Sequence, residues 1–288
     1  MEKIGEIKAR FAEAGERLKK ASMRTEAESA AGLLENLEQT YREDTRSGVQ
    51  ALIRRSEKQR ETLEKETARI YQLQQYERDY EKEGLICGID EVGRGPLAGP
   101  VVAGAVILPK NCEILYLNDS KQLSAEKREQ LYDIILEHAV AVGIGIVSPQ
   151  RIDEINILQA TYEAMRQAIE KLNPQPAVLL NDAVRIPQVA IQQVPIIKGD
   201  AKSVSIAAAS IVAKVTRDRM MEQYEEVFPG YGFARNKGYG SKEHIETLQT
   251  MGPTELSYIR LIPSKILDTM SRKESVIQTL ISCMRKEN

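Results

Sequence analysis

The pattern of apolar and polar residues changes character near residue 84. Before that point, apolar residues such as Leu63, Ile70 and Leu73 recur at roughly helical spacing among Glu, Lys, Arg, Ala and Gln, and proline is absent. We therefore predict an all-helical N-terminal extension over residues 1–83, which packs on the rest of the chain or on a partner.

After residue 84, short runs of apolar and β-branched residues alternate with helical patterns. This alternation predicts an α/β domain over residues 84–264 with a mixed or parallel sheet, followed by a C-terminal helical tail at 265–288. Ser124, and Ser148 ahead of Pro149, are typical helix starts. The predicted strands are 85–90, 101–108, 140–147 and 177–182. The predicted helices are 124–139, 148–172 and 201–227.

Length and composition limit the class of protein. The 288 residues suffice for two domains, and no apolar run reaches the roughly 18 residues that a membrane span needs. The N-terminus is charged and lacks the apolar core of a signal peptide, so we expect a cytoplasmic protein without membrane contact. Cys87, Cys112 and Cys283 form no CxxC pair, which gives no indication of a zinc site or disulfide framework.

The charge balance does not favour a general nucleic-acid binder. Lys and Arg number 40 and Asp and Glu number 42, for a formal charge of −2. Residues 1–83 hold 17 basic and 18 acidic residues, so the extension is not a basic arm. A local basic groove remains compatible with these numbers.

Two adjacent carboxylates, Asp90 and Glu91, follow the first apolar run. Such a pair is costly to bury unless a cation lies beside it, and a divalent metal is the economical solution. Neighbours on a regular strand point to opposite faces, so we expect the strand to end or distort at Asp90.

Two further acids lie where they could join this pair. Asp182 ends the run at 177–182, and Asp218 lies in the helical pattern at 201–227. The structural alternatives are a turn-initiating acid at 182 and an i,i+4 ion pair between Asp218 and Lys214. Four carboxylates without a candidate histidine favour oxygen ligation of Mg²⁺ or Mn²⁺, the usual apparatus of two-metal phosphodiester hydrolysis.

The loop after the carboxylates contains Gly93, Arg94, Gly95 and Gly99. Their spacing is not that of a dinucleotide fingerprint, a strand rather than a helix follows, and a Walker Lys-Ser/Thr pair is absent. Either the loop is a tight turn with a surface arginine, or its glycines admit another molecule's backbone while Arg94 reaches a phosphate.

Four separated blocks in this order resemble the bacterial ribonuclease HII (type 2 ribonuclease H) family over about residues 84–253. The blocks are "GIDEVGRGPLAGPVVAGAVIL", "NDSKQLS", "GDAKSVSIAAASIVAKVTRD" and "YGFARNKGYGSKEH". The resemblance implies a ribonuclease H-like mixed sheet flanked by helices and preceded here by the helical extension. It implies an endonuclease that hydrolyses RNA in RNA/DNA hybrids and nicks 5′ of single ribonucleotides in duplex DNA, leaving 3′-hydroxyl and 5′-phosphate ends.

The resemblance also assigns site residues. The family's catalytic metal-binding acids match Asp90, Glu91, Asp182 and Asp218, with Mg²⁺ or Mn²⁺ as cofactor. The family's substrate contacts match Gly93, Arg94 and Gly95, which read the 2′-hydroxyl and adjoining phosphates, Ser120 and Lys121, which contact the nucleic-acid backbone, and Tyr239, which stacks on a sugar.

Arg94 favours type 2 over type 3 enzymes, which lack the middle arginine. After Gly252 the chain departs from the family's His-Arg-x-Ser-Phe segment, with Arg260 as a stand-in for the arginine. Two other classes of protein remain open: an inactive hybrid-binding protein on the same fold, and an interaction protein that binds partners through its N-terminal helices.

Overall fold

The computed structural model describes residues 2–258. The N-terminal extension is helical, as predicted, and folds as a compact group of helices rather than as one long rod. Its helices are α1 (Ile4–Lys20), α2 (Arg24–Thr40), α3 (Ser47–Leu73) and α4 (Gln75–Asp79), followed by a 3-10 turn at Glu81–Glu83.

A five-stranded mixed sheet forms the centre of the second region, in the order β3-β2-β1-β4-β5. β1 pairs antiparallel with β2 and parallel with β4, while β2–β3 is antiparallel and β4–β5 is parallel. The strands are β1 (Ile86–Val92), β2 (Val101–Ile107), β3 (Ala141–Val147), β4 (Val178–Asp182) and β5 (Gln192–Ile196). The four predicted strands are confirmed to within two residues at each end, and β5 was not predicted.

Helices are present where 124–139 and 201–227 were predicted, the predicted helix at 148–172 is interrupted, and the helices at 233–236 and 242–251 were not predicted. Asn156, at φ 71°, ends one helix, and its side chain caps the next by accepting from the backbone of Leu158 and Gln159. The single predicted helix at 148–172 is therefore wrong, because it is two helices. The helices are α5 (Ala125–His138), α6 (Pro149–Ile155), α7 (Ile157–Glu170), α8 (Val204–Val227), α9 (Phe233–Asn236) and α10 (Lys242–Met251).

Helix α8 packs closely against one face of the sheet. A Cβ on Gly88 would lie 2.0 Å from the carbonyl carbon of Ser205, and one on Gly104 would lie 2.5 Å from the carbonyl oxygen of Ala209. The small residues at the start of α8 permit this approach, as the sequence "SIAAAS" suggests. Helix α7 covers the other face, where Ala160, Ala164 and Ala168 are fully buried in a second apolar cluster.

The extension shares a core with the rest of the molecule. One cluster of buried residues includes Ile7 and Leu34 from the extension and Leu131 and Ile211 from α5 and α8. The segment between β2 and α5 is held by backbone hydrogen bonds to the extension. For example, Leu115 N donates to Ser22 O, between α1 and α2, at 2.7 Å. The extension therefore packs on the main domain, which is the first of the two alternatives that the sequence left open.

None of the helices within residues 2–258 is both long enough and apolar enough to cross a membrane. The predicted tail at 265–288 and Arg260 lie outside the described residues.

Candidate active site

Asp90 and Asp182 lie at the same level on neighbouring parallel strands. The paired register of β1 and β4 ends at Ile89 opposite Asn181, so the two aspartates are the next residues on each strand. Residues at one level of parallel strands share a face, and Asp90 has the same orientation as Gly88, which faces α8. Both carboxylates are thus directed to the α8 side of the sheet.

Glu91 belongs to the same strand end. Strand β1 does not end at Asp90, as we had expected, because it stays paired with β2 through Glu91 and Val92. Only the pairing with β4 stops before Asp90. The side chain of Glu91 is 12% exposed, and its Oε1 accepts a hydrogen bond from Arg94 Nη1 at 3.1 Å.

The three strand acids act on one another electrostatically. Burial raises the pKa of Asp90 well above its usual range, and the charges of Glu91 and Asp182 raise it further, while a hydrogen bond from Ser210 lowers it. Burial also raises the pKa of Glu91, opposed by its hydrogen bond to Arg94. Burial is thus the main reason that the pKa of each residue is raised, and the neighbouring acids add to it.

Asp218 lies on α8 in a different arrangement. Its Oδ1 accepts a hydrogen bond from Lys214 Nζ at 2.6 Å, and both side chains are mostly buried, at 13% and 17% exposed. The i,i+4 pair considered from the sequence is therefore present, but it is not a solvated surface pair. Ser210, Lys214 and Asp218 succeed one another at four-residue intervals along α8, with Ser210 against Asp90.

The donor chemistry suits a hard divalent cation. The strand acids offer oxygen atoms only, and a cation between them would relieve the repulsion that raises the pKa of Asp90. As the side chains stand in residues 2–258, no three His, Cys, Asp or Glu residues form a ready-made metal cluster. One oxygen of Asp182 accepts from Gly199 N at 2.7 Å, and one of Asp218 accepts from Lys214.

The glycine loop that follows β1 has two kinds of glycine. Gly93 has φ +103°, and a Cβ there would lie 2.4 Å from the carbonyl oxygen of Pro100, so no other residue fits. A Cβ on Gly95 would be 3.5 Å from Tyr239 Cε1, an ordinary contact. The fold therefore does not itself require glycine at position 95.

Tyr239 lies opposite this loop and is 44% exposed. The turn that presents it is fixed by a hydrogen bond from Leu97 N to Gly238 O at 2.8 Å. A second bond joins the Tyr239 carbonyl oxygen to Nδ1 of His244 at 2.9 Å. The ring and the glycine loop thus form two sides of one surface.

Ser120 and Lys121 lie in a 3-10 turn, Ser120–Gln122, beside the same strand ends. Ser120 is buried, and its Oγ is hydrogen-bonded to Ser210 Oγ at 2.9 Å. The charge of Lys121 lowers the pKa of Glu91, which places its ammonium group within reach of the acids. Ser120 and Lys121 therefore lie beside the strand acids, while Asp218 lies about two turns further along α8 than Ser210.

Sequence reasoning missed three residues that support this site. They are Ser210, which bonds Asp90, Arg217, which is fully buried beside Asp218, and His244, which is fully buried behind Tyr239. Burial lowers the pKa of His244, so the imidazole is neutral at neutral pH. A serine among alanines or an arginine in a charged helix gives no signal of its own, because only the tertiary packing sets these residues apart.

A cavity of about 760 Å³ lies away from this site, between the extension and α5. Its lining includes Lys20, Thr62, Tyr116 and Lys127 and none of the four acids.

Comparison with known proteins gives consistent matches. The family model described as Ribonuclease HII matches residues 87–261, and the model described as Ribonuclease HII N-terminal domain matches residues 3–81. A protein named Ribonuclease HII from Lachnoclostridium phytofermentans is 64% identical over 227 residues, which are 78% of this chain and 89% of that protein. One with the same name from Enterococcus faecalis is 54% identical over 228 residues, again 78% and 89%.

Among solved structures, ribonuclease H2 from Pyrococcus horikoshii OT3 aligns with a TM-score of 0.55 at 27% identity. The alignment covers 64% of this chain and 97% of that one.

Proposed function

Because this chain belongs to the ribonuclease HII family, and is therefore an endoribonuclease of the RNase H type, we propose that it nicks duplex DNA on the 5′ side of single embedded ribonucleotides as well as cutting the RNA strand of RNA/DNA hybrids. The products carry 3′-hydroxyl and 5′-phosphate ends. The observation that carries the proposal is the pair Asp90 and Asp182, at one level on parallel strands, with the pKa of Asp90 raised by burial and by its acidic neighbours.

The proposed metal ligands are Asp90, Glu91, Asp182 and Asp218, and the proposed ion is Mg²⁺ or Mn²⁺. Bound divalent ions supply an activated water and stabilise the leaving oxygen in phosphodiester hydrolysis. The oxygen-only donors, and the burial of Asp90 and Glu91 beside the charge of Asp182, support this assignment.

The protein's own contribution is to orient each acid. Four partners hold the four carboxylates: Ser210 holds Asp90, Arg94 holds Glu91, Gly199 N holds Asp182 and Lys214 holds Asp218. A monodentate partner fixes the carboxylate and leaves its second oxygen available for an ion. Such supporting bonds commonly set the affinity of metal sites.

The proposed substrate contacts lie on the adjoining surface. Gly93, Arg94 and Gly95 read the 2′-hydroxyl and its phosphates, and Tyr239 stacks on the sugar. The ordinary space around Gly95 supports this role, because the fold does not itself require glycine there.

Ser120 and Lys121 contact the nucleic-acid backbone in the same proposal. The Lys121 charge lies close enough to the acids to lower the pKa of Glu91, so it could meet a phosphate approaching the strand ends.

The chain divides, in the same proposal, into an extension at 1–83, a catalytic domain at 84–264 and a tail at 265–288. The two family matches, with a gap at 82–86, support the first boundary. Since the extension packs on α5 and α8, it supports the catalytic fold and leaves its outer surface for a protein partner.

A nicking assay tests the function directly. The substrate is a duplex with one ribonucleotide, with Mg²⁺ and Mn²⁺ compared, and Asp90→Asn is expected to abolish cleavage. The matched control is Asp133→Asn, an exposed acid on α5 whose side chain is 74% exposed, and it should cleave like the wild type. Cleavage by Asp90→Asn at the wild-type rate would refute the assignment of the acids.

A further inference from the structure

Arg217 is the largest side chain in the described part of the protein that is completely buried. It lies on α8, next to Asp218, and its guanidinium group donates to three backbone carbonyls. Nε donates to Pro100 O at 2.8 Å, Nη1 to Lys237 O at 2.8 Å and Nη2 to Ala98 O at 2.9 Å. The rigid fork of an arginine is therefore fully used by two loops that lie far apart in the sequence.

These partners are unusual for a buried cation. A buried guanidinium is normally stabilised by a carboxylate, yet none of the ion pairs found within residues 2–258 includes Arg217. Burial accordingly lowers the pKa of Arg217. A side chain that costs the fold this much desolvation, and that donates to three main-chain carbonyls and interacts with the Tyr258 side chain, is best explained by what it holds in place.

The glycine loop closes directly around this side chain. Gly93 and Gly99 both have positive φ, at +103° and +94°. A Cβ on Gly93 would lie 2.7 Å from Arg217 Nε, and one on Gly99 would lie 2.9 Å from Nη2. The absence of side chains at Gly93 and Gly99 therefore leaves room for the guanidinium group to bind the carbonyl oxygens of Ala98 and Pro100.

The second loop is the turn that presents Tyr239. Two bonds join this turn to the glycine loop and its helix: Arg217 Nη1 donates to Lys237 O at 2.8 Å, and Leu97 N donates to Gly238 O at 2.8 Å. A Cβ on Gly238 would lie 2.2 Å from Ala98 O, so the two backbones are in direct contact. Arg217 and this backbone contact join the glycine loop and the tyrosine turn into one rigid body.

Tyr258 closes the same loop from the other side. Its hydroxyl donates to Gly99 O, and its backbone N donates to Leu97 O at 2.9 Å. The side chain is fully buried and interacts with Arg217, while burial raises the pKa of Tyr258 to about 12. Tyr258 therefore remains a hydrogen-bond donor across the physiological range.

We propose that Arg217, assisted by Tyr258, is a positioning residue that sets the separation between the Gly93–Gly95 loop and Tyr239, and thereby the enzyme's discrimination between a ribonucleotide and a deoxyribonucleotide. This inference rests on the proposed role of that loop and of Tyr239 in binding the substrate. Arg217 acts through these contacts and does not itself reach the surface. Lysine cannot replace it, because one ammonium group cannot serve three carbonyls spread around a planar fork.

The test compares Arg217→Lys and Arg217→Met with the wild type and with Arg219→Lys. Arg219 is a suitable control, since it lies on the same helix but is 44% exposed and pairs with Glu129. The full-length proteins are assayed for kcat and KM on a duplex with one ribonucleotide, and for inhibition by the same duplex made only of DNA. Thermal unfolding shows whether each variant is folded.

We expect Arg217→Lys to raise KM for the ribonucleotide duplex on the order of tenfold to a hundredfold, as for a misplaced binding group. The inhibition constant of the DNA duplex should stay close to the wild-type value, and kcat should fall much less than KM rises. Arg219→Lys should match the wild type in all three quantities.

Two results would overturn the inference. The first is a folded Arg217 variant whose KM for the ribonucleotide duplex is unchanged. The second is a decrease in kcat without a change in KM, which would mean that Arg217 acts only on its neighbour Asp218. If neither Arg217 variant folds, the same measurements are made on Tyr258→Phe, which removes only the hydroxyl that bonds Gly99 O. Its KM for the ribonucleotide duplex should then rise, and an unchanged KM would overturn the inference. A wild-type enzyme that binds both duplexes equally well would instead refute the proposed substrate contacts, before any variant is considered.

Discussion

Glu77 accepts a hydrogen bond from the hydroxyl of Ser203 at 2.5 Å, which joins the N-terminal extension to the N-cap residue of the long helix α8. The same oxygen of Glu77 accepts from Ser205 N at 2.9 Å, while Ser203 Oγ accepts from Ile206 N at 3.2 Å. The helix is thus capped by its own serine and by a carboxylate from another region of the chain. Because α8 carries Ser210, Arg217 and Asp218, the extension supports the active site from behind.

Replacing Glu77 with alanine should destabilise the protein. The substitution leaves the Ser203 hydroxyl and the Ser205 amide without their buried acceptor, which costs about 1–3 kcal/mol. Urea unfolding of the full chain measures this loss. The matched control is Glu81→Ala, since Glu81 is half exposed and forms a surface ion pair with Lys110, and its loss should stay below about 1 kcal/mol. Equal losses in the two variants would show that Glu77 is not a cap.

The contribution of Glu77 should also depend on pH. Burial raises the pKa of Glu77 above its unfolded value of about 4.3, so the folded state binds the proton more tightly. The free energy of unfolding of the wild type, minus that of Glu77→Gln, is therefore greatest below about pH 4. It falls as the pH rises from the unfolded pKa of Glu77 through its folded pKa. Denaturant unfolding of both proteins at a series of pH values tests the sign. If this difference in free energy of unfolding increases with pH, or does not change with pH, the raised pKa of Glu77 is contradicted.

The sequence predicted the strand-end acids because their signal is local. Asp90 and Asp182 each end a short run of apolar residues, and the shortness of these runs favours a strand over a helix. The strand β5 escaped prediction because "QQVPI" is short and contains Pro195, which is tolerated only because β5 lies at the edge of the sheet.

Arg217 shows what a single sequence cannot provide. Arg217 and Arg219 occur two residues apart in "VTRDRM" and are equivalent in composition, spacing and helix propensity. One is completely buried between two loops, and the other is 44% exposed and pairs with a surface acid. The difference arises from which side of α8 meets the glycine loop, and this depends on contacts between residues more than a hundred positions apart.

The two glycines of the Gly-Arg-Gly motif should respond differently to alanine. Gly93→Ala places a Cβ at positive φ against Pro100 O, and should cost on the order of 1–3 kcal/mol of stability. Gly95→Ala meets only an ordinary contact with Tyr239, so its stability should stay within about 0.5 kcal/mol of the wild type. Its preference for a ribonucleotide over a deoxyribonucleotide should nevertheless fall. A Gly95→Ala enzyme that retains the full preference would show that this part of the loop is only a turn.

Asp90→Asn should make the protein more stable while it removes activity. In the absence of divalent ions, the wild type retains a buried carboxylate whose pKa is raised by burial and by Glu91 and Asp182, and asparagine removes that charge while keeping an acceptor for Ser210. The expected gain is about 0.5–2 kcal/mol, the usual size of a stability–activity trade-off.

Addition of excess Mg²⁺ should then raise the melting temperature of the wild type more than that of the Asp90→Asn variant, because only the wild type keeps the full set of acids. Thermal unfolding with a chelator and with Mg²⁺ measures both effects, and Asp133→Asn should behave as the wild type in each. A variant that is less stable than the wild type without metal, or that gains as much from Mg²⁺, would mean that Asp90 is a structural acid rather than a metal ligand.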